Sequence, residues 1–183
     1  IIKSSKVVYM EGYLFDPPDA QAAFVEAARL AHAAQRKVSI TLSDPFCVDR
    51  HRNAFQMLVA DHTDILFGNE EEIKSLYQVD DFESAMQHVR GQCEIICLTR
   101  GPKGSVILSG DEVHIIDPLP LDAVVDTTGA GDQFAAGFLF GYTQGMGLRK
   151  CGEIATLTAT EVISHVGARP ETSLKMLLER EFG

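Results

Sequence analysis

The chain has 183 residues, of which 45% are hydrophobic and 23% charged, and this composition is typical of one folded domain rather than a disordered or collagen-like chain. Its 16 lysines and arginines against 26 aspartates and glutamates give a formal net charge of −10, which argues against a nucleic-acid partner because such proteins usually carry a basic face. With no signal peptide and no apolar run near the ~18 residues of a membrane span, we expect a cytoplasmic protein whose four cysteines are reduced.

The first half of the chain alternates short apolar runs with longer amphipathic segments. Three apolar runs predict buried strands: KVVYMEG, KVSITLS and DILFGN. The first helix is predicted to follow Pro18, with Asp19 placed to cap it. A second helix is predicted around Arg52 to Asp61. A third begins at Glu70, since acidic residues are favoured in the first helical turn.

The second half continues the alternation. FESAMQHVRG predicts a helix and EIICLTRG a strand, and two further strands form a hairpin about Gly110 and Asp111. Helices are then predicted from Gly131 to Gln144, Leu148 to His165 and Ser173 to Glu181. Strands that alternate with helices predict an α/β fold with a mostly parallel sheet covered on both faces. Without a repeat or a flexible linker, we expect a single domain over residues 1–183.

Polar clusters follow three of the predicted strands, and ligands of open parallel sheets bind outside such strand ends. The clusters are GNEEE, TRGPKG and DTTGAGD. Their shared placement predicts one binding edge.

The third cluster belongs to the stretch VVDTTGAGDQFAAGF, which predicts a strand, a turn and a helix. Gly129, Ala130 and Gly131 carry little side-chain bulk, so their backbone amides can converge on an anion at the helix start. Asp132 then stands beside that anion, where a carboxylate can act as a general base during phosphoryl transfer. In the alternative interpretation, Asp126 and Asp132 are helix caps and the glycines only permit a tight turn.

The motif is neither a P-loop nor a Rossmann fingerprint. From Asp126 to Asp132 it resembles the D-T-x-G-A-G-D signature of the PfkB, or ribokinase-like, family of carbohydrate and nucleoside kinases. The resemblance implies a three-layer αβα fold and ATP- and Mg²⁺-dependent transfer of phosphate to a primary hydroxyl. It also assigns the catalytic base to Asp132 and an anion hole to Gly129, Ala130 and Gly131.

The same resemblance assigns the other two clusters. Asn69 and Glu72 match an N-x-x-E motif that positions magnesium and phosphate through water, consistent with the reluctance of Mg²⁺ to dehydrate. The three consecutive glutamates there also fit a solvated charge run at a helix N-terminus. Thr99, Gly101 and Gly104 match a T-x-G-x-x-G turn that contacts the nucleotide.

Two further assignments come from the C-terminal segment ATLTATEVISHVGARP. It resembles the family segment that closes over adenine, which implies a nucleotide contact for Thr158, while ordinary helix core is the alternative. Many relatives also bind a monovalent cation. For this chain that implies a K⁺ site at Asp126, Thr128 and Gly167.

The resemblance covers only the later part of the usual family length. It implies that the N-terminal strands and the β lid, which supplies much of the acceptor site, are not included. YMEGYLFDPP and TLSDPFCVDRHR look most like bacterial adenosine kinases or ribokinase-type sugar kinases, so a ribose-containing acceptor is favoured. We expect a small-molecule acceptor, no nucleic acid or membrane partner, and a homodimer in the full-length protein. The alternative is a non-catalytic nucleotide-binding module or an inactive fragment.

Overall fold

A computed structural model describes residues 1–183. It contains six strands: β1 (Val7–Glu11), β2 (Lys37–Thr41), β3 (Ile65–Asn69), β4 (Ile95–Thr99), β5 (Ser105–Ser109) and β6 (Glu112–Ile116). It contains seven α-helices: α1 (Pro18–Ala33), α2 (Pro45–His62), α3 (Glu70–Tyr77), α4 (Phe82–Val89), α5 (Ala130–Thr143), α6 (Leu148–Val162) and α7 (Leu174–Phe182). None of these helices combines the length and apolar character needed to cross a bilayer.

The strands form one six-stranded sheet in the order β1-β2-β3-β4-β5-β6. The first four strands pair in parallel, each with the next in the chain, and helices connect them, as parallel pairing requires. The two-residue connection at Gly110 and Asp111 joins neighbouring strands β5 and β6, so the predicted hairpin is confirmed. The predicted α/β class with a mostly parallel sheet is also confirmed.

The central strands are apolar along their length because parallel strands are covered on both faces. Ile65, Leu66 and Phe67 of β3 are all buried, and so is the whole run from Ile95 to Leu98 in β4. This continuous burial places the ends of β3 and β4, where polar residues begin, at the boundary between core and solvent.

The chain divides into two compact units. The first comprises residues 1–100 and 106–113, and its core includes Phe15, whose ring lies 5.3 Å from that of Phe24 in α1 and 5.0 Å from that of Phe55 in α2.

The second unit comprises residues 101–105 and 114–183. Helices α5 and α6 pack closely in it. A Cβ atom at Gly137 of α5 would lie 2.4 Å from Thr158 Oγ1 and 2.8 Å from Ala155 Cα of α6. Only glycine therefore permits the observed approach of the two helices.

The helix boundaries differ from several predictions. Asp19 lies in the first turn of α1 rather than at its cap, because the helix already begins at Pro18. Helix α2 begins before the predicted Arg52, since the Asp44 carboxylate accepts a hydrogen bond from the Cys47 amide and caps it. It has a non-helical residue at His51.

Candidate active site

Polar residues of the first unit meet at the carboxyl ends of β3 and β4. Asn69 and Thr99 are the last residues of these two strands and are direct partners in the parallel register. The structure therefore brings these two predicted site residues side by side.

Asn69 and Glu72 form a reciprocal capping box at the start of α3. The Glu72 amide donates to Asn69 Oδ1 over 2.9 Å, and the Asn69 amide donates to Glu72 Oε2 over 2.8 Å. The Asn69 side-chain amide also donates to Glu72 Oε1, over 2.6 Å. The N-x-x-E spacing thus also has a structural role as a capping box. The sequence could have indicated this, because a glutamate three positions after a capping residue is typical of a capping box.

Glu72 is a buried acid, only 5% exposed. Burial raises the pKa of Glu72 to about 7; the Asn69 amide opposes that shift, and the carboxylates of Asp44 and Glu11 reinforce it. These two neighbouring acids had no predicted role. No group of three acidic, histidine or cysteine side chains is arranged to hold a metal ion. The donors at this position are the carboxylate oxygens of Glu72 and the amide oxygen of Asn69, and oxygen ligands of this kind, together with water, are those that Mg²⁺ takes.

Arg100 is the second residue of the TRGPKG segment and is held by two contacts within the first unit. Its Nε donates to Glu70 Oε2 over 2.9 Å, and its guanidinium carbon lies 3.9 Å from the centre of the Phe82 ring. These contacts account for Glu70 as an ion-pair partner rather than only a solvated charge.

The glycine turn lies in the second unit. Gly101 and Gly104 have φ values of +55° and +81°, which non-glycine residues adopt with strain. A Cβ atom at Gly104 would lie 2.1 Å from the Ile116 carbonyl oxygen. The next residue, Ser105, is buried with a hydroxyl that has no hydrogen-bond partner.

Val124 and Val125 were predicted to form a strand, and that prediction is wrong. Both side chains are exposed, at 60% and 54%, and neither residue belongs to a strand. The Val125 amide instead donates to the Ile163 carbonyl over 2.9 Å. The segment is therefore hydrogen-bonded to the residue that follows α6 rather than paired in the sheet.

The Asp126 carboxylate organises the turn before α5. Its Oδ1 accepts the Thr128 hydroxyl at 2.7 Å and the Thr128 amide at 2.9 Å, while its Oδ2 accepts the Gly167 amide at 2.9 Å. The hydroxyl contact, followed by the two amides, lowers the pKa of Asp126 to about 2. The three residues predicted for a cation site are therefore brought together, around a carboxylate that stays anionic at neutral pH.

The N-terminus of α5 is open to a ligand. Gly129 precedes the helix with φ +78°, and no side chain caps it. The amides of Gly131 and Asp132 therefore have no intrahelical acceptor, and a Cβ atom at Gly131 would meet nothing within 4 Å. The Ala130 amide, which was also predicted for the anion hole, instead donates to the Thr127 carbonyl over 3.1 Å. Asp132 is exposed in the first turn. Free amides, the helix dipole and open space fit a phosphate group.

Ala168, in the loop after α6, fixes the position of Gly129. A Cβ atom at Gly129 would lie 2.7 Å from the Ala168 Cβ and 3.0 Å from its carbonyl oxygen. Together with the contacts of Ile163 and Gly167, this packing holds the turn before α5 against the loop at three points.

Thr158 lies between α5 and α6 and is 2% exposed. Its hydroxyl lies 2.7 Å from the Gln133 carbonyl and 3.0 Å from the Ala155 carbonyl. These contacts give Thr158 a packing role, as in the alternative interpretation. The nucleotide contact remains a prediction.

The chain is similar in sequence and in structure to proteins described as kinases. The family model described as pfkB family carbohydrate kinase matches residues 1–174. An uncharacterized sugar kinase of Archaeoglobus fulgidus is 37% identical over 108 residues, covering 59% of this chain and 43% of the relative. Two solved structures each have a TM-score of 0.95 and cover 98% of this chain and 55% of their own: a probable sugar kinase from Rhizobium etli, 47% identical, and an adenosine kinase from Sinorhizobium meliloti, 44% identical. The chain thus spans about half the length of these relatives.

Proposed function

Because the chain belongs to the pfkB family of carbohydrate kinases, we propose that the protein containing it transfers the γ-phosphate of ATP to a primary hydroxyl of a sugar or nucleoside. The observation that carries the proposal is the uncapped N-terminus of α5, where open amides stand beside the exposed carboxylate of Asp132. A positive helix end and a carboxylate in one turn suit a reaction in which a hydroxyl loses a proton while a phosphoryl group arrives.

In the proposed mechanism Asp132 accepts the proton of the acceptor hydroxyl. The amides of Gly131 and Asp132 donate hydrogen bonds to the phosphoryl oxygens as charge develops there. The preceding residues, Gly129 and Ala130, are small and leave space for the phosphoryl group. Gly129 contributes by its left-handed conformation, which starts the helix without a capping side chain that would compete for these amides.

The other predicted site residues have a supporting role in the proposal. Asn69 and Glu72 would hold water molecules around magnesium, which supplies neutralisation of the triphosphate charge when it is bound. Thr99, Gly101 and Gly104 would contact the nucleotide, and Thr158 would line its adenine site. The similarity to an adenosine kinase at 44% identity supports adenosine or another ribose-containing compound as the acceptor.

Replacing Asp132 with asparagine tests the assigned base. Loss of a general base lowers turnover by ~10² or more, and nucleotide binding should persist because the backbone amides remain. ADP release by the full-length protein with ribose, fructose or adenosine measures turnover, and calorimetric titration with ATP measures binding. Asp122→Asn is a matched control, since Asp122 is also exposed and precedes the motif.

Near-normal turnover of the Asp132→Asn protein would overturn this assignment. ATP binding without acceptor-dependent ADP release by the unmodified full-length protein would instead support a non-catalytic nucleotide-binding module.

Three secondary features belong to the same proposal. A potassium ion beside Asp126, Thr128 and Gly167 would make turnover depend on K⁺, which replacement of K⁺ by Na⁺ in the assay measures. We also propose that the full-length protein is a homodimer, which light scattering tests. The reduced thiols, three of which are buried, suit the cytoplasm, where we propose that it acts.

A further inference from the structure

Glu161 stands where helix electrostatics and burial both disfavour a carboxylate. It lies in the last turn of α6, at the negative end of the helix dipole, and that turn contains no basic residue. The residue is 9% exposed, so its charge has also lost most of its hydration. Other contacts must stabilise the carboxylate at this position.

Those contacts come from the loop between α6 and α7. Glu161 Oε1 accepts hydrogen bonds from two consecutive backbone amides, that of Glu171 at 2.9 Å and that of Thr172 at 2.7 Å. Glu161 Oε2 lies 3.4 Å from Nε2 of His165. Hydrogen bonds to a charged acceptor are roughly twice as strong as neutral ones, so one side chain closes the loop of residues 163–172 onto the end of α6.

The same loop holds the turn that leads into α5. The Ile163 carbonyl accepts a hydrogen bond from the Val125 amide, and the Gly167 amide donates to the Asp126 carboxylate. The third contact is that of Ala168, which packs on Gly129. Glu161 is therefore linked to the start of α5 through the loop of residues 163–172, and all of these residues belong to the second unit.

We propose that Glu161 is a positioning residue for phosphoryl transfer: it fixes the loop of residues 163–172, and the loop fixes the turn that presents Asp132 and the open amides of α5. This inference rests on the proposed kinase function. Glu161 does not itself touch the reacting groups. Its effect is on alignment, and a misplacement of about 1 Å can cost ~10²-fold in rate.

Two substitutions of Glu161 and one control substitution, all in the full-length protein, separate alignment from simple loss of stability. Glu161→Ala removes the acceptor of both loop amides, and kcat should fall by ~10-fold or more with KM for ATP nearly unchanged, since an interaction needed for alignment acts mainly on the transition state. Glu161→Gln keeps an oxygen for the two amides and should restore most of kcat. Glu153→Ala on the same helix makes the same charge change at a partly exposed site paired only with Lys150, and it should leave kcat unaltered.

Amide hydrogen exchange gives a readout that does not depend on activity. In Glu161→Ala, exchange should accelerate at residues 125–132 and 163–172, whereas the middle of α6 should keep its protection; Glu161→Gln should resemble the unmodified protein. Unchanged exchange at residues 125–132 in Glu161→Ala would overturn the inference even if the protein is an active kinase. If the unmodified protein releases no ADP, the kinase proposal fails, and the exchange result still decides whether Glu161 holds the turn. Accelerated exchange with unchanged kcat would overturn the positioning role alone.

Discussion

Replacement of Gly129 by alanine should destabilise the protein for two separate reasons. At φ +78° the left-handed backbone costs an alanine about 1 to 2 kcal/mol. The new Cβ would also lie 2.7 Å from the Ala168 Cβ, well inside the ~3.5 Å of an ordinary carbon contact. Overpacking of this kind costs about 1 to 3 kcal/mol, so the total loss should be about 2 to 5 kcal/mol.

Gly145 offers a matched control for the conformational part of this cost. Its φ is +77°, and a Cβ atom there would meet nothing within 4 Å, so Gly145→Ala should lose only about 1 to 2 kcal/mol. The difference between the two variants isolates the contact with Ala168. In the double variant Gly129→Ala with Ala168→Gly, part of that difference should return.

Urea unfolding of the full-length protein, followed by circular dichroism, measures these free energies. ADP release measured in parallel should fall for Gly129→Ala and stay near normal for Gly145→Ala, because only the former displaces the start of α5. Equal destabilisation by the two single variants would refute the argument, since it would mean that the Ala168 contact yields without cost.

Two further predictions concern groups that the structure buries. For Glu72, the pKa rises from 4.5 in the unfolded chain to about 7 in the folded protein, which corresponds to about 3 kcal/mol in the free energy of unfolding. Because the folded state binds this proton more tightly than the unfolded state, the free energy of unfolding should decline between pH 4.5 and 7 and stay low at higher pH. Urea unfolding midpoints measured at pH 5 and pH 8 in the presence of EDTA test this, and the decline should be smaller in Glu72→Gln than in the unmodified protein. An equal decline in the two proteins would contradict the assignment of the pH dependence to Glu72. Gly137→Ala should lose about 1 to 3 kcal/mol by overpacking, since its Cβ would lie 2.4 Å from Thr158 Oγ1. Adding Thr158→Ala to the Gly137→Ala protein should recover part of the lost stability, because it removes the hydroxyl that the new Cβ would meet. If Gly137→Ala were instead more stable than the unmodified protein, α5 and α6 would be able to move apart without cost.

Local patterns were sufficient to predict most elements of the fold. Apolar runs such as Ile95 to Leu98 indicate strands of a parallel sheet because burial on both faces excludes polar side chains. The glycines and aspartates from Asp126 to Asp132 likewise indicate an anion-binding turn, since few other residue types leave backbone amides accessible at a helix start. Such properties depend on neighbours in the sequence, so the sequence by itself carries them.

Other features depend on residues that are distant in the chain, and only the tertiary structure decides them. The segment at Val125 has strand-like residues, but its amide bonds to Ile163, 38 positions later, so no local pattern could exclude a strand. The same holds for the contact of Gly129 with Ala168 and for the loop amides bound by Glu161. The sequence thus determined which groups are proposed to bind phosphate and accept a proton. The packing of the loop after α6 decided where those groups stand, because that position is set by long-range hydrogen bonds and steric contacts rather than by local propensity.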